Sequence, residues 1–136
     1  MTVEWDVDSI IENVTAASLV GVANGIEAIR ANALKKIQEG SKTGRIYKRR
    51  SVVHTASAPG EPPASDTGRL VQSGRTELFP EKGFGLVIFS TAYAAALEFG
   101  REDGSILPRP YLRPALAEER EEIEKDIGDQ VSGVLA

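Results

Sequence analysis

The first third of the chain carries a helical pattern of apolar residues. Six of them recur at intervals of three and four residues: Leu19, Val22, Ile26, Ile29, Ala33 and Ile37. This spacing puts them on one face and predicts a long amphipathic helix over residues 8–39. Asp8 or Ser9 would begin it, and Gly40 would end it. Because an interior glycine costs about 1 kcal/mol relative to alanine, residues 21–25 mark a place where the helix could kink or divide.

The middle of the chain changes to a β pattern. Residues 69–79 and 83–90 are short β-leaning runs on either side of the turn sequence Pro80-Glu81-Lys82-Gly83. This arrangement predicts an antiparallel hairpin. Residues 86–89 are all apolar, so we expect the second strand to be central and covered on both faces.

Two helices are predicted after this hairpin. Residues 93–99 are alanine-rich and end at Gly100, which favours a short helix with a glycine cap. After a polar loop, residues 111–135 return to helical spacing, with Pro114 in the first turn, where its missing N–H does no harm. The order of elements predicts a single α+β domain over residues 1–136, in which the long N-terminal helix and the C-terminal helix pack on a small antiparallel sheet.

Between the first helix and the hairpin, residues 40–68 hold a basic segment and a long loop. Residues 54–70 read HTASAPGEPPASDTGRL, seventeen residues with three prolines and two glycines. Compact domains usually join their elements with about four to six residues, and longer irregular stretches tend to bind something. Proline also removes part of a loop's entropy in advance. We therefore expect residues 54–70 to be an extended assembly loop that is mobile in the free subunit and fixed in a ring, where a neighbouring subunit supplies partners for its backbone groups. The alternative is a mobile surface loop without a specific role.

Charge is distributed unevenly along a chain whose net charge is −4. Residues 42–50 hold five cations and no acid, whereas residues 118–129 hold seven acids. Such polarity suits contact with an anionic partner, or head-to-tail contact between copies of the chain. The acidic first residues are unlike a signal peptide, and no apolar run approaches the roughly twenty residues of a membrane helix. We therefore expect no membrane partner.

The sequence offers little for catalysis. There is no cysteine, and His54 is the only histidine, so a thiolate nucleophile and a pair of histidine ligands are both excluded. The glutamates of residues 118–129 fall on the polar side of an amphipathic helix, where a solvated face is the usual interpretation. Neither the spacing of a calcium loop nor a phosphate-binding glycine motif is present. We predict a protein that is not an enzyme and uses no cofactor, metal or small-molecule substrate.

The basic sequence RIYKRR, residues 45–50, is the main electrostatic signal. Its cations could neutralise phosphates and Tyr47 could stack on a base, so a small nucleic-acid-binding module using residues 42–50 is the alternative function. A solvated or subunit-facing segment is favoured, because the net charge of the protein is negative.

Four motifs in a fixed order span residues 44–117: GRIYKRR, HTASAPGEPPASDTGRL, YAAALEFG and LPRPYLRPAL. In this combination the chain resembles the minor tail or tail-completion family of long-tailed double-stranded DNA phages, also called head-tail joining proteins. The resemblance implies a virion structural protein with an α+β fold. Such a protein assembles as a ring, typically a hexamer, at the head-proximal end of the tail, where it ends tube growth and docks to the head connector.

The resemblance also implies partners and positions. The partners are other copies of the chain, the head-completion or connector protein and the tail-tube protein, with passing DNA as a further contact. The expected location of the protein is the neck or tail of a virion that is assembled in the cytoplasm of the host bacterium, and the expected gene is that of a phage or prophage. The expected interface residues are Arg45, Tyr47, Lys48, Arg49, Arg50, His54, Pro59, Gly60, Glu61, Pro62, Pro63 and Asp66. The expected structural motif residues are Thr67, Gly68, Arg69, Leu70, Tyr93, Glu98, Phe99, Gly100, Pro110, Arg113 and Pro114.

Three of these motif residues can be interpreted individually. Tyr93 and Phe99 are expected in the core, because the chain has only eight aromatic side chains to supply volume. Glu98 is either solvated beside the glycine cap or paired with Arg113, where it would hold the last helix. In a ring, the basic segment is expected to meet the acidic helix of a neighbour, and contact with DNA is the rival hypothesis.

Overall fold

The computed structural model describes residues 1–49, 51–64 and 68–136, and of Arg49 and Val52 the backbone alone. Within these residues the elements follow in the order α1 (Val7–Glu39), β1 (Ile46–Arg49), β2 (Val52–Thr55), α2 (Arg69–Ser73), β3 (Gly74–Phe79), β4 (Phe84–Phe89), α3 (Ala94–Phe99) and α4 (Leu112–Leu135). The strands form two antiparallel pairs, β1 with β2 and β3 with β4. The predicted α+β fold, with two long helices and small antiparallel sheets, is confirmed.

The first helix, α1, is continuous over 33 residues. Its cap is Asp6 rather than Asp8 or Ser9, because the Asp6 carboxylate accepts the N–H of Ser9 at 3.1 Å. The helix ends at Gly40 as predicted, and the Gly40 N–H donates back into the last turn at 2.9 Å. The helix is not divided at residues 21–25.

Two glycines inside α1 lie where α4 crosses it. A Cβ atom built on Gly21 would stand 2.6 Å from Cγ1 and 2.9 Å from Cα of Ile127. A Cβ atom built on Gly25 would stand 2.8 Å from Cγ2 of Ile123. Carbon atoms pack best about 3.5–4.0 Å apart, so any larger residue here would push the helices apart. Close helix packing therefore offsets the low helix propensity of these glycines.

Polar contacts link the antiparallel helices α1 and α4. Nζ of Lys36 lies 2.6 Å from Oε1 of Glu118, and the Asn32 amide donates to Glu119 at 2.9 Å. These contacts stand at the end of α1 and the start of α4, so they fix the antiparallel register. Part of the acidic face of α4 is thus matched by polar groups of the same chain.

The second hairpin is confirmed in part. β3 and β4 pair from Gly74↔Phe89 to Phe79↔Phe84 around the predicted turn, in which Gly83 has a φ of 72°. The first part of the predicted strand, however, is the short helix α2 (Arg69–Ser73). Leu70 is buried in the core, and the Gln72 N–H donates to the Gly68 carbonyl. Packing of this leucine therefore overrides the strand preference of the local sequence.

The prediction that β4 is central and covered on both faces is wrong. Among the residues that the structure describes, β3 is the only strand paired with β4, so β4 is an edge strand and not a central one. Gly85 lies against Ile26 of α1, and Val87 and Phe89 pack on the core. Leu86, which points the other way, is 41% exposed.

The core lies where the end of α1 meets α2, α3 and the start of α4. Its buried members are Ile29, Ala33, Ile37, Leu70, Ala94, Tyr111 and Ala115. Tyr111 is the largest of them, and its ring meets Phe89 edge-on with centroids 5.1 Å apart. The Tyr111 hydroxyl donates to the Ala94 carbonyl at 3.1 Å. Burial raises the pKa of this hydroxyl, so the ring remains neutral.

By length and composition, α1 could cross a membrane, with a mean hydropathy of 1.2 over an eighteen-residue window. This corrects the expectation that no segment approaches that length. Core helices of soluble proteins meet the same criterion, and α1 supplies Ile29, Ala33 and Ile37 to the core. The composition of the helix is therefore accounted for in part by packing inside the protein.

Candidate subunit interface

A β-hairpin replaces part of the loop predicted over residues 40–68. Strands β1 and β2 pair from Ile46↔Thr55 to Arg49↔Val52. The ladder continues one step further, since the Ala56 N–H donates to the Arg45 carbonyl and the Gly44 N–H to the Ala56 carbonyl, each at 2.9 Å. β-branched and aromatic residues favour such a ribbon. Residues 46–55 are called the arm below.

The arm presents apolar side chains on both of its faces. Tyr47 lies opposite His54 on one face, and Lys48 lies opposite Val53 on the other. Ile46 is 66% exposed, Val53 is 62% exposed and Tyr47 is also exposed, whereas His54 is half-buried. An isolated two-stranded hairpin is marginally stable in water. Exposed apolar residues on such a ribbon are typical of a surface that a partner covers.

The cations of residues 42–50 whose side chains are described, Lys42, Arg45 and Lys48, do not form one patch. Nζ of Lys42 donates to the carbonyls of Lys36 and Pro62 at 3.3 and 3.2 Å, below the arm. Burial lowers the pKa of Lys42, an effect that nearby Glu61 opposes. The Arg45 guanidinium lies 5.3 Å from the centre of the Tyr47 ring, and Lys48 is exposed. Arg50 lies outside the described residues, and of Arg49 only the backbone is described.

Glu61 ties the base of the arm together. Its carboxylate accepts the backbone N–H of Thr43 at 2.8 Å, the Thr43 hydroxyl, and the N–H of Ala58 at 2.9 Å. Thr43 precedes β1 and Ala58 follows β2, so one side chain joins the two ends of the hairpin. The hydrogen bond from Ala58, followed by those from Thr43, holds the pKa of Glu61 below its ordinary value.

The proline-rich loop is anchored rather than free of internal partners. Ser57 and Pro63 are buried, and the Gly60 N–H donates to the Pro108 carbonyl at 2.9 Å. Pro59 and Gly60 are exposed where the loop bends, and Pro62 is half-buried. The expectation that this backbone lacks partners within the chain is therefore wrong for residues 56–64.

The other end of this loop is described from Gly68 onward. Asp66 and Thr67 lie outside the described residues. Gly68 has a φ of 75° and precedes α2, in which Arg69 is exposed and Leu70 is buried. The positive φ explains why glycine suits this position.

Glu98 caps the last helix from a distance. Its buried carboxylate accepts the N–H groups of Tyr111, Leu112 and Arg113 at 2.8, 3.0 and 2.9 Å. Nε of Arg113 also lies 3.0 Å from the same carboxylate. The predicted Glu98–Arg113 pair is confirmed, and the solvated alternative is wrong. A carboxylate here satisfies orphan donors and meets the positive end of the helix dipole.

Burial and hydrogen bonding oppose each other at Glu98. Burial raises the pKa of the carboxyl, but the three backbone N–H groups and the Arg113 guanidinium together lower it by more. The net pKa lies below the ordinary value, so Glu98 is ionised at neutral pH. Gly100, with a φ of 74°, ends α3, while Pro110 is half-buried before α4 and Pro114 occupies its first turn as predicted.

The predicted core positions of Tyr93 and Phe99 are wrong. Tyr93 is 38% and Phe99 is 62% exposed. The buried positions of α3 are Ala94 and Glu98, which are four residues apart and share one face. Phe99 consequently points outward, and the Arg113 guanidinium lies 4.6 Å from the centre of its ring.

The acidic side of α4 is a charged, largely exposed face, as its spacing predicts. Arg120 pairs with Glu124 at 3.2 Å and Lys125 pairs with Asp129 at 2.8 Å, in each case one helical turn apart. Among the residues that the structure describes, no three or more histidine, aspartate or glutamate side chains are grouped to hold a metal ion.

Comparisons with protein-family models, curated proteins and solved structures find no match for this chain.

Proposed function

We propose that the protein is a phage tail-completion or head-tail joining component, a virion structural protein without catalytic activity. It assembles as a ring, hexameric in the virion, at the head-proximal end of the tail and docks to the connector. The observation that carries the proposal is the arm, which is a two-stranded ribbon with exposed apolar residues on both faces.

Assembly would remove the exposed apolar surface of the arm from water. Fully burying an aliphatic side chain is worth about 1.5–3 kcal/mol. Ile46 and Val53 lie near the two ends of the ribbon, so a neighbour that covers both would stabilise the whole hairpin. Contact with a neighbour would therefore bury apolar side chains that stay exposed in the single chain.

The base of the arm limits its movement. Glu61 holds Thr43 and Ala58, and the neighbouring loop is fixed through Gly60 and Pro108. A projecting element with a fixed base loses less entropy when it binds than a flexible tail does. This geometry favours docking in one orientation, which a closed ring requires.

Opposite charges favour contact between two different surfaces of neighbouring copies. The arm carries Lys48, Arg45 lies at its start, and the exposed acids Glu121, Glu122 and Glu124 lie on α4. A positive surface of one copy that meets a negative surface of the next is a heterologous contact, and such contacts close into rings.

The test is deletion of the gene from the phage or prophage that encodes it. Electron microscopy of the lysate should then show DNA-filled heads and tails that are unjoined, and the wild-type gene supplied in trans should restore joined particles. Joined, infectious particles in the deletion lysate would refute the proposal.

Nucleic-acid binding is the second candidate function, and the ribbon shape of the arm favours it. A two-stranded β-ribbon fits the major groove of DNA. Arg45, Tyr47 and Lys48 lie on this ribbon or at its start, although Lys42 is held at the base. Filter binding with a steep dependence on salt would support this function, and no retention of DNA at low salt would exclude it.

A further inference from the structure

An apolar groove lies between β4 and α4, with α1 as its floor. Ile26 and Ile29 form the floor, residues 85–87 of β4 form one wall, and Leu116 stands on the other, around a cavity of about 310 Å³. A second cavity of about 170 Å³ shares Ile26, Ile29 and Leu116 and extends the groove toward Ile123. Leu116 is exposed, as is Leu86, although both border this apolar surface.

One wall of the groove is an open sheet edge. β4 pairs with β3 on one side, and within the described part of the chain no strand lies on its other side. In an antiparallel pair, alternate residues direct their N–H and C=O groups away from the partner. Such an edge can accept an added strand through main-chain hydrogen bonds.

Residues 2–6 have the pattern of a strand that would fit this groove. Val3 and Trp5 alternate with Thr2, Glu4 and Asp6, which puts both apolar side chains on one face of an extended segment. In the structure the segment belongs to no helix or strand, and Trp5 is 77% exposed. Tryptophan is enriched among residues that dominate binding energy.

The charges of the segment and of the groove are complementary. Arg113 and Arg120 line the groove, and their side chains are 58% and 73% exposed. Glu124 is an acid on the same wall and pairs with Arg120. With Val3 and Trp5 turned inward, Glu4 and Asp6 would lie toward the rim, within reach of the two arginines.

The segment cannot reach the groove of its own chain. Ile26 lies nineteen residues beyond Val7 in α1, which is about 28 Å along a helix. Five extended residues span at most about 17 Å. If residues 2–6 fill the groove, they must therefore come from another molecule.

We propose that residues 2–6 of one copy add as a strand to the open edge of β4 in the next copy, with Trp5 seated in the groove. This inference rests on the proposed function and specifies one contact of the ring. Because the segment and the groove are different surfaces, the contact is heterologous, and its repetition closes a ring or extends a filament.

The absence of cysteine from the chain allows thiol-specific cross-linking to test the contact. The full-length variant with Val3→Cys and Leu86→Cys should give a ladder of covalent multimers with a short bis-maleimide on a denaturing gel. Adding Trp5→Ala should remove the ladder. A mixture of the single variants Val3→Cys and Leu86→Cys should give only cross-linked dimers that contain one copy of each variant.

The matched control is the variant with Val3→Cys and Leu78→Cys, because Leu78 lies in the same hairpin outside the groove and is 37% exposed against 41% for Leu86. The proposal is overturned if the test variant stays monomeric, if the control gives an equal ladder, or if Val53→Cys with Leu86→Cys cross-links instead, which would place the arm in the groove. If the ladder is missing but the deletion lysate contains unjoined particles, this contact is refuted and the proposed function is not. If the ladder forms but the deletion lysate contains joined particles, the proposed function is refuted and the contact is not.

Discussion

The carboxylate of Glu98 accepts the backbone N–H of Tyr111 at 2.8 Å, across thirteen residues of sequence. Through this contact the short helix α3 sets the position at which α4 begins, and α4 in turn packs along the length of α1. The acidic face of α4 and the wall that α4 gives to the groove are positioned by the same buried carboxylate.

Removing the charge of Glu98 should destabilise the protein more than removing its arginine partner. Glu98→Gln directs an amide toward three backbone donors, so we expect a loss of about 3 kcal/mol in the free energy of unfolding. Arg113→Ala removes one exposed pair and the contact with Phe99 but leaves the three N–H bonds, so we expect a loss of about 1 kcal/mol. Chemical denaturation measures both values. Equal losses would contradict the capping role.

The pH dependence of stability should follow Glu98. Its pKa in the folded state is lower than its ordinary value of about 4.5, so its contribution is fully present above that value and is lost as the pH falls through the folded pKa. The advantage of the wild-type protein over Glu98→Gln should be constant near pH 7 and shrink below about pH 4.5. Urea denaturation across this range provides the measurement, and a difference that stays constant to pH 3 would contradict the ionised cap.

Glycine-to-alanine substitutions should have opposite signs in the two long helices. Gly21→Ala places a Cβ atom 2.9 Å from the backbone of Ile127, so a loss of about 1–3 kcal/mol from overpacking should exceed the gain in helix propensity. Gly128→Ala in α4 meets no atom within 4 Å and should stabilise the protein by about 0.5–1 kcal/mol. Thermal melting of the two variants checks this, and stabilisation by both would show that the helices do not approach closely at Gly21.

Loss of the Glu61 carboxylate should increase local opening at the base of the arm more than it lowers the stability of the whole fold. In Glu61→Gln we expect faster amide hydrogen exchange at Thr43 and Ala58, because both donate to the carboxylate, with little change in melting temperature. Glu77→Gln, which removes an exposed pair with Arg75 on β3, is the matched control and should leave these two amides unaffected. Unchanged exchange in Glu61→Gln would show that the carboxylate does not hold the base.

The sequence predicts the features that depend on local patterns. α1 and α4 follow from apolar residues at helical spacing, and the turn before β4 follows from Pro80 and Gly83. The sequence does not predict the arm, because the cations that follow Tyr47 give this stretch the pattern of a basic, solvated segment. The β-branched pair Val52-Val53 is the local signal that favours a strand here.

Features that depend on distant contacts could not be predicted in this way. No local pattern shows that Ile127 packs against Gly21, or that Glu98 reaches three backbone donors beyond the next loop. The small number of aromatic residues predicts a core position for Phe99, whereas in the structure the face of α3 that carries Ala94 and Glu98 is the buried one.

In the proposed ring, a neighbouring molecule covers the arm during assembly. The most direct measurement is the count of joined particles when the deleted gene is replaced by a variant with Ile46→Asp and Val53→Asp. Because both side chains are exposed, the purified variant should melt within a few degrees of the wild-type protein, and its lysate should contain heads and tails that are unjoined. Leu107→Asp, at an exposed position in the loop after α3, should restore joined particles. Full restoration of joined particles by the arm variant would contradict the claim.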